Sequence, residues 1–218
     1  MKSPRIPPLI IDIVQNGLLA CEGIVFETRN SCPVCGGILS GYDTKKKQFG
    51  VIREGDHSTT IHVVVKRFSC RQCHAVCFAD EPFYPDTRIG SPLVDLCRTL
   101  AAGMPFNRAT VFMAHMGIVI ERGTVRNYVH RSLPEIPTTE LYGIRLPLSI
   151  ISLSDLAARI SEGSCIEGAE ALAACGFPSA YRAAPDGRLL PEKRNERNEE
   201  KDKEERQVQE PHHDRERE

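Results

Sequence analysis

Four cysteines occur in two pairs with the same short spacing. Cys32 and Cys35 lie in the run CPVCGG, and Cys70 and Cys73 lie in the run CRQC, so each pair encloses two residues. Two residues between thiolates let one tight turn direct both sulfurs at a single ion, and two such turns complete a tetrahedral ligand set. The spacing therefore predicts a closed, structural Zn²⁺ site whose ligands are Cys32, Cys35, Cys70 and Cys73.

Two residues beside the second pair leave the fourth ligand open to alternatives. His74 and Cys77 both follow the run CRQC, and either could substitute as a ligand, although the pair spacing favours Cys73 and an inward-packed Cys77. Gly36 and Gly37 suit the turn after the first pair because glycine adopts positive φ readily. Iron in a rubredoxin-like site and a dithiol redox pair are further alternatives. The redox pair is disfavoured because neither pair precedes a helical pattern.

The remaining cysteines and the apolar pattern suggest a reducing compartment. Nine cysteines are an odd number, the start MKSPRIPPLI has no cleavable signal pattern, and no apolar run approaches the roughly 18 residues of a membrane helix. We therefore expect a cytoplasmic protein that does not associate with a membrane and has no disulfides. Four cysteines are expected to be core residues: Cys21, Cys97, Cys165 and Cys175.

The cysteine pairs must be brought together by the chain between them. Lys47 to Glu54 and Thr59 to Phe68 are rich in β-prone residues and are separated by GDHS, which predicts a β-hairpin. Residues 30–80 are therefore interpreted as a zinc ribbon, a β-hairpin between two cysteine turns. Residues 1–29 are expected to supply a short helix and a strand leading into it.

Helical spacing replaces the strand pattern after residue 88. Three short helices are predicted within residues 88–133: one capped by Ser91, one capped by Asn107 and ended by Gly117, and one from about Glu121 to Pro134. Three short helices with a glycine-marked turn are typical of a helix-turn-helix bundle.

The rest of the chain is predicted to be simpler. Pro134 to Pro147 is interpreted as a proline-punctuated linker, and residues 148–187 as a small module of two short helices. Residues 188–218 carry 9 basic and 11 acidic side chains and almost nothing apolar, which predicts a disordered tail. The predicted fold class is therefore α+β.

The third predicted helix has a polar face that could contact nucleic acid. Arg and Asn side chains can pair bidentately with guanine and adenine edges, and residues 30–131 hold 13 Lys and Arg against 8 Asp and Glu. The lysines at 45–47 could add contacts to phosphates. The alternative is an ordinary solvated helix face. The candidate DNA-binding residues are Arg122, Thr124, Arg126, Asn127, His130 and Arg131.

The order CPVCGG, VVVKRFSCRQC and GIVIERGTVRNYV resembles the zinc-ribbon and helix-turn-helix head of prokaryotic transposases. Phe68 ends a strand just before Cys70, and Thr124 and Val125 occupy the start of the recognition helix. The resemblance covers about residues 30–131. It implies a structural zinc ion, double-stranded DNA as the partner and a third helix in the major groove. Glu121 departs from it, since a capping serine is common at that place.

The resemblance does not extend to catalysis. Transposases of this kind carry a ribonuclease-H-like domain with three metal-binding carboxylates, and the residues after Arg131 show no strand series that could present them. We expect a DNA-binding protein that is not an enzyme, dimeric if its target is palindromic. The competing interpretation is a zinc-ribbon adaptor that binds a protein partner.

Overall fold

The computed structural model of the protein describes residues 5–159 and 166–176. In this part of the chain, six α-helices and two β-sheets form the mixed α+β structure that the sequence predicts. In chain order the elements are α1 (Pro8–Leu19), β1 (Val25–Phe26), β2 (Leu39–Glu54), β3 (His57–Cys70), β4 (Val76–Phe78), α2 (Ser91–Gly103), α3 (Phe106–His115), α4 (Arg122–Val129), β5 (Thr138–Leu141), β6 (Ile144–Pro147), α5 (Leu148–Ala158) and α6 (Gly168–Ala174).

The predicted hairpin is present and is longer than the sequence pattern indicates. Strands β2 and β3 pair antiparallel from Glu54 opposite His57, next to a two-residue loop, to Leu39 opposite Cys70. Gly55 begins that loop at φ +57°, which glycine adopts without steric cost. Because β3 ends at Cys70 and β2 begins soon after the first cysteine pair, the far end of the hairpin brings the two pairs together.

Strand β3 is the centre of the larger sheet. On the edge of β3 away from β2, β1 pairs parallel through Val25 and Val64, and β4 pairs antiparallel through Phe78 and Arg67. The helix and strand expected before the cysteine region are therefore present as α1 and β1.

The three helices predicted within residues 88–133 are present, with different N-caps. Gly90 is the N-cap of α2 and Pro105 is the N-cap of α3, so the predicted caps Ser91 and Asn107 lie inside their helices and make no capping hydrogen bond. Prolines at the start of these helices, Pro92 within the first turn of α2 and Pro105 before α3, restrict the backbone there. Gly117 has φ +81° and follows α3, as predicted. The third helix ends at Val129, well before Pro134.

The connection between α3 and α4 lies on the edge of the hairpin. The backbone N–H of Val119 donates to the carbonyl of Val51 at 3.0 Å, and that of Arg53 donates to the carbonyl of Gly117 at 2.6 Å. Ile118 forms an isolated β-bridge with Ile52. These bonds fix the orientation of α4 relative to the strand that leads to the cysteines.

The interpretation of Pro134 to Pro147 as a linker is wrong. Strands β5 and β6 form a second, two-stranded sheet around Tyr142 and Gly143, which have φ of +51° and +74°. Consecutive positive φ values are typical of a tight hairpin turn, and the tyrosine hides this signal in the sequence because asparagine or glycine is usual there.

Helices α5 and α6 are present, as predicted for residues 148–187. Helix α1 packs closely against α5 at Gly17, where a Cβ atom would lie 3.0 Å from the carbonyl oxygen of Ile150 and 3.0 Å from the backbone nitrogen of Ser154. Within the segment predicted as helical, residues 177–187 lie outside the described part, as do the predicted tail, residues 188–218, and Cys165.

A single hydrophobic cluster contains buried side chains from each predicted unit, including Ile10, Ile61, Leu96 and Ile150. The division of the chain into units with boundaries at 29, 80 and 133 stays a prediction. Cys21, Cys97 and Cys175 are buried in this cluster, as expected. Among the described residues, no helix combines the length and apolar character needed to cross a membrane.

Candidate metal centre

The four cysteines of the two predicted pairs converge on one point. Their sulfur atoms all lie within 4.8 Å of one another, and two pairs join the two turns, with 3.6 Å between Cys32 and Cys73 and 3.5 Å between Cys35 and Cys70. Tetrahedral ligands at about 2.3 Å from an ion are about 3.8 Å apart, whereas disulfide sulfurs are about 2 Å apart. The cluster could therefore hold a metal ion such as zinc, and the prediction that these cysteines gather is confirmed.

The first turn, which we call knuckle 1, comprises residues Cys32–Gly37. The backbone N–H of Cys32 donates to the carbonyl of Gly37 at 3.0 Å, and the N–H of Gly36 donates to the carbonyl of Cys32 at 2.9 Å. The N–H of Val34 points at the Cys32 sulfur at 3.4 Å. These bonds hold the sulfur of Cys32 in place and direct a backbone N–H group toward it.

The second turn, knuckle 2, comprises residues Cys70–Ala75 and repeats the same bonds. The N–H of Cys70 donates to the carbonyl of Ala75 at 2.9 Å, and the N–H of His74 donates to the carbonyl of Cys70 at 3.1 Å. The N–H of Gln72 points at the Cys70 sulfur at 3.4 Å. Two turns from separate parts of the chain thus have one backbone pattern, as expected if both present thiolates to the same ion.

Both knuckles place their fifth residue in the left-handed region. Gly36 has φ +73° and His74 has φ +58°. The glycine was predicted for this turn, and Gly37 is needed as well, because a Cβ atom there would lie 2.5 Å from Oε1 of Gln72 and 3.1 Å from the Cys35 sulfur. The histidine of knuckle 2 adopts the same conformation with less ease, because its Cβ crowds the backbone.

Neither of the alternative ligands belongs to the cluster. The group of sulfurs close enough to share an ion consists of the four predicted cysteines, and it includes neither His74 nor Cys77. Cys77 lies in β4 with 6% of its surface exposed and joins the hydrophobic cluster. The inward packing expected for Cys77 is therefore confirmed.

Hydrogen bonds make the thiols of Cys70 and Cys73 unequal. The backbone N–H groups of Cys73 and Gln72 lower the pKa of Cys70 to about 6. For Cys73, the N–H of Ala75 has a lowering effect, but the neighbouring thiol of Cys35 and burial outweigh it and raise the pKa to about 12. Several negative charges on sulfurs this close to one another repel each other. A divalent cation would offset this repulsion and displace the thiol protons.

The candidate DNA-binding residues divide into two groups in α4. Arg122, Arg126 and Asn127 have exposed side chains, and none of them makes a side-chain hydrogen bond or ion pair with the described residues. Val125 and Tyr128 are buried on the inner face of the helix. Glu121 stands at the N-cap position without a side-chain capping bond.

The other three candidates are engaged with the protein itself or partly buried. Arg131 donates from Nη1 to the carbonyl of Pro85 at 2.8 Å, and the ring of His130 lies edge-on to that of Phe106 with centroids 5.9 Å apart. Thr124 is half-buried. The structure therefore leaves Arg122, Arg126 and Asn127 as the candidates with free polar groups.

The three lysines at 45–47 are also not equivalent. They lie in β2 rather than in a loop; Lys45 and Lys46 are exposed. The ammonium group of Lys47 lies 2.7 Å from a carboxylate oxygen of Glu81 and 4.5 Å from the ring centre of Phe78. The charge of Lys47 is thus engaged inside the protein. The expected contacts of these lysines with phosphates stay a prediction.

One polar cluster has no signal in the sequence. The hydroxyl of Tyr84 donates to Oδ1 of Asp95 at 2.8 Å, and Oγ of Ser149 donates to Oδ2 at 3.1 Å. Burial raises the pKa of Asp95 to about 6, although both hydrogen bonds and the charge of Arg98 act in the opposite direction. The three residues come from a loop, α2 and α5, so no spacing rule could find them.

Among the described residues, the cysteine cluster and the exposed face of α4 are two places with groups that could bind a ligand. They are joined through β2, whose turn end, at Val51 and Arg53, carries the bonds to the α3–α4 connection. The likeness to transposase heads rests on the residue pattern alone, because no protein-family model, no curated protein and no solved structure matches this chain.

Proposed function

We propose that the protein is a zinc-stabilised, non-enzymatic reader of double-stranded DNA in which α4 enters the major groove. The observation that carries this proposal is the outer face of α4. Arg122, Arg126 and Asn127 are exposed there, and they are the side-chain types that pair bidentately with guanine and adenine. Val125 and Tyr128 anchor the opposite face in the core, which would keep the helix rigid during docking.

The charges along α4 favour an anionic partner. Arg122 and Arg126 are four residues apart and so lie on one face, where like charges are unfavourable by a few tenths of a kcal/mol. The helix contains no acidic residue that could offset them. A phosphate backbone would supply the missing negative charge.

The surroundings of α4 carry the same sign. Between residues 86 and 131 every basic residue other than histidine is arginine, and Arg88, Arg108, Arg122 and Arg126 are exposed. Exposed acidic groups in the same range are Asp86 and Glu121. Arginine suits phosphate and guanine recognition because its planar fork donates two parallel hydrogen bonds.

Zinc would act at a distance from the DNA. It would join knuckles 1 and 2 and hold the end of the hairpin that carries the cysteines. The opposite end, next to the hairpin turn, is bonded to Gly117 and Val119. Loss of the ion is expected to loosen the hairpin. Through the bonds to Gly117 and Val119, it is also expected to loosen the orientation of α4. The metal dependence of DNA binding would then be structural.

The test is selection of genomic DNA fragments on zinc-loaded protein, repeated after removal of the metal. We expect one motif to be enriched, and the enrichment to disappear without zinc. Arg126→Ala and Asn127→Ala should each reduce discrimination between that motif and scrambled DNA by roughly 1–3 kcal/mol. Arg159→Ala is the matched control, because Arg159 is an exposed arginine at the C-cap of α5, paired with Asp155.

Two results would contradict the proposal. Folded, metal-containing protein that enriches no sequence would remove DNA as the specific partner. Discrimination unchanged in both α4 variants would remove these residues as the readers.

A protein-interaction adaptor is the second candidate, and one observation favours it. Val34 lies in knuckle 1, and Ile38 and Val76 directly follow knuckles 1 and 2; 59%, 66% and 43% of their surfaces are exposed. Exposed aliphatic groups around a rigid turn can dock a partner. Binding through this surface should be lost in Val34→Ser and Ile38→Ser and should change little with salt, whereas binding to phosphates weakens steeply as salt rises.

A further inference from the structure

The β5–β6 hairpin, residues Thr138–Pro147, carries a large aromatic residue at its tip. Tyr142 has 69% of its surface exposed, and its side chain makes no hydrogen bond or ring contact with the described residues. Its φ is +51°, and Gly143 follows at +74°. A tyrosine thus stands in solvent at the outermost point of a tight turn.

A contribution to the stability of the fold does not explain why a tyrosine occupies this position. A left-handed conformation is disfavoured for a residue with a Cβ atom, and asparagine or glycine adopts it more easily. No packing offsets the conformation, because the side chain is exposed. Backbone strain combined with an unburied aromatic group is a feature of contact sites.

The hairpin is held firmly against the helices that would bind DNA. Arg98 of α2 donates from Nη1 to the carbonyl of Pro134 at 2.9 Å and from Nη2 to that of Leu133 at 3.2 Å. Leu146 of β6 is fully buried, and α2 packs against both β6 and α4. The tip therefore has a fixed position relative to the exposed face of α4.

A cation lies three residues from the tip. Arg145 is exposed and lies opposite Glu140 in the hairpin register, yet its side chain has no ion pair within 4 Å among the described residues. Its guanidinium group is therefore available to a partner. A tyrosine hydroxyl and an arginine guanidinium group can both donate to phosphate oxygens, and the tyrosine ring can lie against a sugar.

We propose that Tyr142 and Arg145 form a second contact with the DNA backbone, beside the groove that α4 enters. This inference rests on the proposed function. The contact is independent of sequence, because phosphate and sugar are the same at every base pair. It supplies affinity and register, while α4 supplies discrimination.

The test uses the full chain with Tyr142→Asn and Arg145→Gln, and with Arg126→Ala for comparison. Tyr142→Asn suits the turn, so a thermal scan is expected to show a fold at least as stable as the natural one. Each hairpin variant should weaken binding to the selected motif and to scrambled DNA equally, by roughly three- to tenfold. Arg145→Gln should also reduce the slope of log affinity against log salt by about 0.9.

The outcomes separate the two proposals. Arg126→Ala should change the ratio of motif to scrambled binding, and the hairpin variants should leave that ratio unchanged. If the natural protein selects a motif but both hairpin variants bind it as tightly and with the same salt slope, the hairpin contact is wrong and DNA reading stands. If the natural protein selects no motif, DNA reading itself fails, and the hairpin contact fails with it.

Discussion

Two polar clusters in this molecule meet the same physical problem in different ways. The thiol cluster gathers four sulfurs within 4.8 Å of one another, and the carboxylate cluster buries Asp95 with Tyr84 and Ser149. In both places an uncompensated negative charge is unfavourable. A cation would relieve the thiols, whereas Asp95 is relieved by a proton.

The difference predicts opposite responses to acid. Protons compete with a metal ion for thiolates, so acid weakens the thiol cluster. Asp95 has a pKa above its value in the unfolded chain, so the folded state binds the proton more tightly and acid favours it. The two clusters can therefore be separated by their chemistry, although they share one protein.

The largest expected effect comes from removing one ligand of the thiol cluster. Cys70→Ala should abolish stoichiometric binding of zinc and lower the free energy of unfolding by on the order of 5 kcal/mol, because metal binding contributes directly to folding. Metal analysis and denaturant unfolding measure the two quantities. Cys77→Ala is the control. Cys77 is buried and lies outside the thiol cluster, so this variant should keep the ion.

A Cys70→Ala protein that still bound one ion with unchanged affinity would break the comparison. The thiol cluster would then not be the site, and its sulfurs would be only neighbours. Retained stability without the ion would show instead that the hydrophobic cluster alone supports the hairpin.

An intermediate effect is expected at the carboxylate cluster. The folded pKa of Asp95 is about 6 against an ordinary value of 3.8, so its contribution to stability is full below pH 4 and is lost as pH rises through 6. Asp95→Asn removes this dependence. The stability of the variant relative to the natural protein should rise by roughly 3 kcal/mol between pH 4 and pH 7.

Denaturant unfolding of both proteins at several pH values measures this difference, and loss of metal at low pH affects both alike. Asp12→Asn makes the same change at an exposed carboxylate and is the matched control. The free energies of unfolding of Asp95→Asn and the natural protein could instead differ by the same amount at every pH. Asp95 would then not be a buried, proton-binding group.

The two clusters also show what the sequence could and could not reveal. Cys32 and Cys35 are two residues of one turn, and the same holds for Cys70 and Cys73, so their spacing records local geometry directly. Asp95 and Ser149 meet only because α2 packs against α5, and such contacts leave no local pattern.

Turns with unusual residues were missed for a related reason. Tyr142 occupies a position where glycine or asparagine would have signalled the β5–β6 hairpin. Lys47 looked like a free cation, since its partner Glu81 is distant in the chain and becomes its neighbour only through the sheet. In both cases the outcome depends on tertiary structure, which the local residue propensities do not report.

The smallest effect tests whether the two knuckles are interchangeable. They have the same backbone bonds, but the left-handed residue is Gly36 in knuckle 1 and His74 in knuckle 2. His74→Gly should raise the free energy of unfolding by roughly 0.5 kcal/mol, because relief of the backbone exceeds the added chain entropy. Gly36→Ala should lower it by about 1 kcal/mol, although a Cβ atom there meets no neighbour.

Opposite signs in the two variants, measured by denaturant unfolding of zinc-loaded protein, would show that backbone conformation governs both turns. Equal signs would indicate that the His74 side chain has a role that its position outside the sulfur cluster does not account for. Neither substitution should alter the pH-dependent change in unfolding free energy that Asp95→Asn produces. The thiol and carboxylate clusters share no residue, and the effects of mutations at separate sites are additive.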